Sequence, residues 1–467
     1  LPAQPVFAFT KQSLAAYNQG LKLKLENSRK LAKAGSPQDR NHATMLLAQN
    51  YTDFLELAFT QNPGRFDELL EAQEDRFAVV KDTPATPYAR LSQAEIKLQI
   101  GISKFLNGSN IQAAWDLRQA YLLFEENDKM FPDFVANKKS YGLLQVLLGA
   151  VPENYKWALS IFGMSGNVKK GFQNMKLAAE TPHPMQQEAQ LLYSLMLERL
   201  GKNETEALEM VNGLVKEQPD NLLFLFTQVS MLKKLKQTDL ALKAYQTRPD
   251  GDDYLSVPNL HHMAADLYLY KGDYARSVRE NRLFLSQYRG KHYIKDAYFK
   301  LYLAYWLNQD KDTAFQYYKK IATEGAAVTE EDKYALQFYN LREQPDPVLM
   351  PARLRADGGY YREALNILAD YDVTEQSPVK EKIEYFYRKA RIYHGLNDLN
   401  LARMYYLRTI SAAGNAPYYY APNAALQLGY LYSDSGDKAM ARTYFKKALT
   451  YQHHEYKNSI DSKAKMA

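Results

Sequence analysis

The chain has 467 residues and no cysteine, which excludes disulfides, thiolate metal sites and cysteine catalysis outright. A formal charge of +6 is small for this length and spread along the chain, so no clustered basic stripe argues for nucleic acid. One compact core rarely grows past about 250 to 300 residues, so the chain is either several domains or a stack that grows by repetition.

The first predicted element is an amphipathic helix over 10–34. Leu14, Tyr17, Leu21, Leu25 and Leu31 share a face, while Lys22, Lys24, Arg29, Lys30 and Lys33 decorate the rest. It either caps a solenoid or lies on an anionic membrane surface, and the cap is preferred because basic helix faces are commonly just solvated. Long helices follow over 42–60, 65–81, 87–106, 111–127, 133–150 and 168–179. Stops such as Asn107-Gly108, Gly201, Gly272-Asp273 and Gly436-Asp437 each end an apolar run of period 3.6. Pro87, Pro152, Pro184, Pro347 and Pro378 suit first helical turns, where the missing N–H costs nothing. The longest apolar run, 141–151, is far short of the ~20 residues a bilayer span needs. Strand-period runs are lacking, so the expected class is all-α.

From about residue 183 the helices pair more regularly. A small residue is followed four positions later by a large one at Ala207/Val211, Ala241/Tyr245, Ala314/Tyr318, Ala364/Leu368, Ala402/Tyr406 and Ala441/Phe445, with a degenerate copy at Ser277. The first three intervals are 34, 36 and 37 residues and the later ones 50, 38 and 39. In the last copy, Leu428, Gly429 and Tyr432 precede Gly436-Asp437, and Ala441, Phe445 and Ala448 follow. This run resembles the tetratricopeptide repeat. An earlier copy keeps Ile100, Gly101, Gly108, Ala113, Leu117 and Ala120. The resemblance implies a right-handed α-solenoid of helix-turn-helix repeats whose concave surface binds a partner. We expect an N-terminal helical cap over 1–85, a divergent repeat region over 86–220 and a regular solenoid over 221–467.

A narrower resemblance lies in Asn137-Lys138-Lys139-Ser140, Val151-Pro152-Glu153-Asn154-Tyr155-Lys156-Trp157, Phe162-Gly163-Met164-Ser165-Gly166 and Gly171-Phe172, with Asn50-Tyr51-Thr52-Asp53-Phe54 and Ala94-Glu95-Ile96 before them. These stretches are similar to uncharacterised exported bacterial tetratricopeptide proteins, and more distantly to the eukaryotic tetratricopeptide-39 and inclusion-clearance family. The likeness implies no known chemistry. Leu-Pro-Ala-Gln at positions 1–4 also resembles a mature end left by signal-peptide removal, so a periplasmic or cell-envelope location is expected, with the cytoplasm as the other choice.

Motifs for catalysis are weak. Gly166 to Gly171 lacks the Lys-Ser/Thr that a phosphate loop requires after its last Gly, and Gly-x-Ser-x-Gly is missing. His261, His262 and Asp266 lie within two turns of one helix, but no third ligand is evident nearby, so a polar pair is preferred to a metal site. Neither a cofactor nor a metal is expected.

Tyrosine is the stronger clue, because 29 of the 37 fall after residue 250. Packing positions account for most of them, and the remainder suit a groove with aromatic anchors. In the family geometry the first helix of each pair lines the concave wall, which implies His262, Asp266, Tyr270, Phe299, Trp306, Tyr387, Arg391, His394, Asn423 and Tyr430 as groove residues. They do not reproduce the Lys and Asn clamp of the chaperone-tail binders in that family. The expected function is a non-catalytic scaffold for a protein or peptide, with possible peripheral attachment to the envelope. The alternative is an outer-membrane or periplasmic glycan-binding protein using aromatic platforms.

Overall fold

A computed structural model of the protein describes residues 8–34, 42–151, 163–201 and 203–467. The sequence features at 1–4, Pro152, Trp157 and Phe162 lie outside them. All regular elements among the described residues are helices, as the absence of strand patterning requires. Packing divides the chain into two units, the first comprising 1–235, 243–260 and 287–290 and the second 236–242, 261–286 and 291–467.

The first unit contains α1 (Lys11–Leu21), α2 (Leu25–Ala34), α3 (Ala43–Thr60), α4 (Pro63–Val80), α5 (Pro87–Leu106), α6 (Asn110–Met130), α7 (Val135–Gly149), α8 (Val168–Glu180), α9 (Gln186–Met196), α10 (Glu204–Glu217) and α11 (Leu222–Lys234). Next come α12 (Thr238–Gln246), α13 (Pro258–Lys271) and α14 (Tyr274–Gln287), which carry residues of both units. The second unit continues with α15 (Ile294–Leu307), α16 (Lys311–Thr323), α17 (Glu330–Asn340), α18 (Leu349–Asp357), α19 (Tyr361–Ile367), α20 (Val379–Gly395), α21 (Leu399–Ala413), α22 (Tyr420–Asp434), α23 (Lys438–Thr450) and α24 (Lys457–Met466).

One local device builds the hairpins. A residue in the left-handed region (Gly272, Gln309, Asn397, Gly436) ends the first helix. The aspartate after it then accepts the backbone N–H three residues on, at 3.0–3.1 Å for Asp273, Asp310, Asp398 and Asp437. That cap satisfies an otherwise orphaned donor and starts the second helix. One turn beyond each cap stands the small residue read from the sequence, Ser277, Ala314, Ala402 or Ala441, and all four are buried. The same offset joins Asn203 to Ala207, Ser109 to Ala113 and Asn167 to Gly171. The long 50-residue interval between Ala314 and Ala364 has a simple cause: it contains the extra helix α17.

Small residues are needed there because backbones touch. A Cβ on Gly171 would stand 2.6 Å from Val146 Cγ2 and 2.7 Å from the Gly142 carbonyl oxygen, so only glycine lets α8 approach α7 this closely. In the last hairpin the bare face of Gly429 receives the Phe445 ring.

The expected single helix over 10–34 is two. Leu23 takes a left-handed φ of 62°, and its carbonyl accepts the Leu255 N–H at 2.7 Å. Lys22 and Lys24 on either side pair with Asp220 at 2.9 Å and Asp253 at 3.1 Å. Arg29 is held by Glu26, Asp53 and Glu56. Three of the five cations that suggested a membrane face are therefore committed to carboxylates within the first unit, leaving Lys30 and Lys33 exposed.

The first helices of the pairs in this unit converge on a buried charge cluster. Lys139 of α7, only 1% exposed, lies 2.9 Å from Glu95 of α5 and 3.1 Å from Glu188 of α9. The Tyr17 hydroxyl of α1 donates to Glu188, and its ring stacks on Tyr51 of α3 at 4.9 Å. Burial opposes a charged Lys139, but Glu188 and Glu95 override it and raise its pKa. One ammonium cannot fully compensate two carboxylates. Burial and Glu188 therefore push the Glu95 carboxyl above its ordinary value despite Lys139. A raised carboxyl contributes most when protonated, below its ordinary value of 4.5, and that contribution is lost as pH rises through the folded value. Glu95→Gln should consequently leave stability at pH 4 little changed and raise it at pH 7, flattening the profile. Urea unfolding midpoints across this range check the sign, and a fall at pH 7 would contradict it.

Candidate functional site

In the second unit, α13 and α15 bring together residues one repeat apart. His262 Nε2 lies 2.8 Å from Asp296 Oδ2, and Lys300 pairs with both Asp266 and Asp296. His262, Asp266 and Asp296 present donor atoms within 4.8 Å of one another, so the pair seen in the sequence has a third member with metal-ligand chemistry. Lys300 Nζ sits among them, 3.5 Å from His262 Nε2, and already supplies the balancing positive charge. The arrangement is chemically a closed ion cluster joining two helices. Burial disfavours the ammonium, yet Asp266 and Asp296 raise the Lys300 pKa; burial likewise opposes the Asp296 charge, and Lys300 and His262 hold its pKa low.

Of the remaining expected groove residues, Phe299 and Tyr387 are buried and belong to packing. Phe299 meets Phe338 at 4.9 Å and Tyr334 at 5.6 Å, while Tyr387 sits among Tyr406, Tyr419 and Tyr420. His262 and Asp266 are buried too. Counting back along the first helix finds the side facing neighbours as readily as the side facing a groove, because the two differ by a single step of about 100°. These four are corrected from wall to core.

Tyr270, Trp306, Arg391, His394, Asn423 and Tyr430 are half-buried. The Tyr270 carbonyl accepts Arg355 Nη1 at 2.6 Å. Arg391 Nη1 donates to Gln427 Oε1 at 3.1 Å, and Gln427 Nε2 donates to Asn423 Oδ1 at 3.3 Å, so two expected residues join through one that was missed. His394 Nδ1 lies 3.0 Å from the Tyr406 hydroxyl, and Tyr430 packs edge-on against Phe445 at 5.4 Å. Beside them Arg388, buried, bonds Glu384 Oε1 through Nε at 3.1 Å and Nη2 at 2.7 Å. Burial would raise the Glu384 carboxyl, but Arg388 holds it low.

The hairpins α20/α21 and α22/α23 carry the complete turn, cap and small-residue pattern. The family model for the tetratricopeptide repeat matches residues 383–415 and 422–452. These two hairpins are tetratricopeptide repeats. Among solved structures, the chain is similar to a human IFIT1 dimer with PPP-AAAA at 15% identity and TM-score 0.37, over 95% of this chain and 91% of that one. It is also similar to the APC/C hetero-tetramer Cut9-Hcn1 at 9% identity and TM-score 0.30, over 98% and 96%. Scores this low carry no argument about function. No curated protein matches the sequence.

The tetratricopeptide repeats explain much of the tyrosine excess. Tyr393 stacks on Tyr405 at 5.5 Å and 8°, and Tyr432 on Tyr444 at 5.4 Å and 3°. In the hairpin α15/α16, Tyr305 and Tyr317 repeat the arrangement at 5.5 Å and 11°. Each pair closes its own hairpin, with the faces of the two rings turned on each other. The twelve-residue spacing was visible in the sequence but is not a helical period, so a search for one-helix faces passes over it.

A different set of rings is left open. Tyr302, Trp306, Phe315, Tyr318 and Tyr339, with Asn340, Arg342, Glu343 and Gln344 among the polar residues beside them, line a cleft of about 480 Å³. Phe315 is 55% exposed. Trp306 is fixed from below by its Nε1 bond to the Pro345 carbonyl at 3.2 Å and by Lys311 lying 3.4 Å from its ring centroid. Of these, only Trp306 was among the expected groove residues.

Proposed function

We propose that the protein is a non-catalytic scaffold whose second unit binds a polypeptide, with apolar or aromatic side chains of the partner seated in the cleft around Phe315. The observation that carries this reading is the cleft itself: five aromatic rings beside a polar edge, in a size range suited to a ligand-bearing pocket. Phe315 and Tyr318 lie nearly parallel at 14°, but the other rings are tilted, by 50° for Tyr302/Trp306, 54° for Tyr302/Tyr318 and 39° for Tyr318/Tyr339, and so the set forms a pocket rather than one plane. A sugar ring is better served by a flat exposed face, and the flat tyrosine pairs above spend theirs on each other. The glycan-binding alternative is thus the less well supported. Two tetratricopeptide repeats in the same unit favour protein partners as well.

We further take residues 1–85 as a cap and place the protein in the periplasm or cell envelope, the latter on its resemblance to exported proteins; cell fractionation tests the location. For the cleft, Phe315→Ser removes an exposed ring, so the melting temperature should stay within about a degree or two. Affinity for a co-purifying polypeptide should fall at least tenfold by surface plasmon resonance. Unchanged affinity would rule out the cleft as the anchor site.

A further inference from the structure

The cleft around Phe315 is aromatic in its lining and basic at its mouth. Lys311 and Lys319, both exposed, stand one turn before and one turn after Phe315 on α16. Lys311 Nζ lies 3.4 Å from the Trp306 ring centroid and donates to the Trp306 carbonyl at 3.1 Å, and Lys319 Nζ lies 4.6 Å from the Phe315 centroid. Arg342, also exposed, enters the lining from the turn after α17.

The carboxylates nearby are engaged elsewhere. Glu343, the acid of the lining, pairs with Lys380. Asp310 caps α16 by accepting the Thr313 N–H at 3.1 Å. Asp346 accepts the Val348 and Leu349 N–H groups at 2.8 and 2.7 Å and the Tyr371 hydroxyl at 3.2 Å. Asp312 stands about 120° around α16 from Tyr318 of the lining, whereas Lys311 is about 20° from it, so it is the lysine that shares the face of the rings. The mouth of the cleft therefore presents net positive charge.

An aromatic cleft has two ordinary occupants, a cation on the ring faces or an apolar group between them. Here ammonium groups of the chain itself already sit on Trp306 and Phe315, so a cationic side chain would meet like charge where it needs an open ring. The apolar occupant is left, and the cations at the mouth select what flanks it. Exposed charges act over roughly 8–10 Å at physiological salt, the reach of about three residues of extended chain, so complementary carboxylates belong within that distance of the anchor. Charge matching of this kind selects among partners and speeds encounter more than it adds affinity. We propose that the cleft takes an apolar or aromatic side chain flanked by aspartate or glutamate in a polypeptide partner, the anchor entering between the rings while the carboxylates draw Lys311, Lys319 and Arg342. This rests on the peptide-binding reading above and adds the charge of the partner to it.

The test is isothermal titration calorimetry of the full chain with unlabelled peptides. Asp-Glu-Phe-Glu-Asp should bind at least tenfold more tightly than Asn-Gln-Phe-Gln-Asn at about 50 mM salt, and its lead should shrink at about 300 mM. Asp-Glu-Ser-Glu-Asp, without the anchor, should be at least tenfold weaker than its Phe counterpart, and Lys-Arg-Phe-Arg-Lys should be the weakest. The triple variant Lys311→Gln/Lys319→Gln/Arg342→Asn should bring the acidic peptide down to the affinity of the amide peptide; asparagine suits position 342 because its φ of 53° is left-handed. All three positions are exposed, so the melting temperature should stay within about a degree or two. Equal affinity for the acidic and amide peptides, tighter binding of the basic one, or an acidic peptide that binds the triple variant as it binds the parent would overturn the proposal. So would the failure of every peptide to bind at millimolar concentration. If the acidic preference is absent while Phe315→Ser still weakens both Phe peptides tenfold, the cleft survives as the anchor site without its charge selection. If the acidic peptide ignores Phe315→Ser but is lost by the triple variant, charge alone holds it, and both the proposal and the cleft reading fall.

Discussion

Lys139→Met is expected to be the most damaging single change in the first unit, costing about 3–5 kcal/mol in unfolding free energy. Among the described residues Lys139 alone places an ammonium between Glu95 and Glu188, and all three are removed from water. Taking it away leaves two buried carboxylates facing each other, together with the Tyr17 hydroxyl that donates to one of them. At least one carboxylate must then take up a proton, so the loss should be worse at pH 8 than at pH 5. Replacing all three charges at once, by Glu95→Leu and Glu188→Leu on the Lys139→Met background, should recover most of the stability, because a buried ion cluster adds little over packed apolar groups. Chemical denaturation followed by circular dichroism measures both. A single-variant cost under about 1 kcal/mol would mean that water reaches the cluster.

The second large effect is expected from a single methyl group. Gly171→Ala puts a Cβ 2.7 Å from the Gly142 carbonyl and 2.7 Å from the Val146 backbone nitrogen. Backbone cannot give way as a flexible side chain does, so α8 must lift from α7, at a cost of about 1–3 kcal/mol. Gly213 in α10 is the matched control, since a Cβ there meets nothing within 4 Å. Gly213→Ala should therefore stabilise by about 0.4–1 kcal/mol, through helix propensity and a less flexible unfolded chain. Thermal melts of the two variants should move in opposite directions.

Much of this architecture was legible because its signals are local. The helix predicted over 87–106 has the bounds of α5, and the small residues read at Ala314, Ala402 and Ala441 are buried one turn after aspartate caps, of which only Asp437 was part of a stop read from the sequence. The break at Leu23 was not legible. The left-handed position is a leucine, Gly20 falls earlier inside α1, and the bend is fixed by Leu255, Asp220 and Asp253, far along the chain. The site shows the same division. Asp296 and Lys300 follow His262 and Asp266 by 34 residues, one repeat, yet a search for ligands along one helix stops before them. Lys236 reaches the Ala356 carbonyl in the last turn of α18 only because the chain folds back upon a segment 120 residues later.

The most direct measurement of the central claim, that a polypeptide docks on the second unit at the open aromatic cleft, is site-specific photocrosslinking in the native cell. Benzoylphenylalanine replaces Phe315 in one strain and Val79 in another, both being exposed positions and Val79 lying on α4 of the first unit. Illumination should yield a discrete adduct containing a second polypeptide from position 315 and none from position 79. Adducts at 79 alone, or no adduct at 315 with the protein expressed and folded, would contradict it.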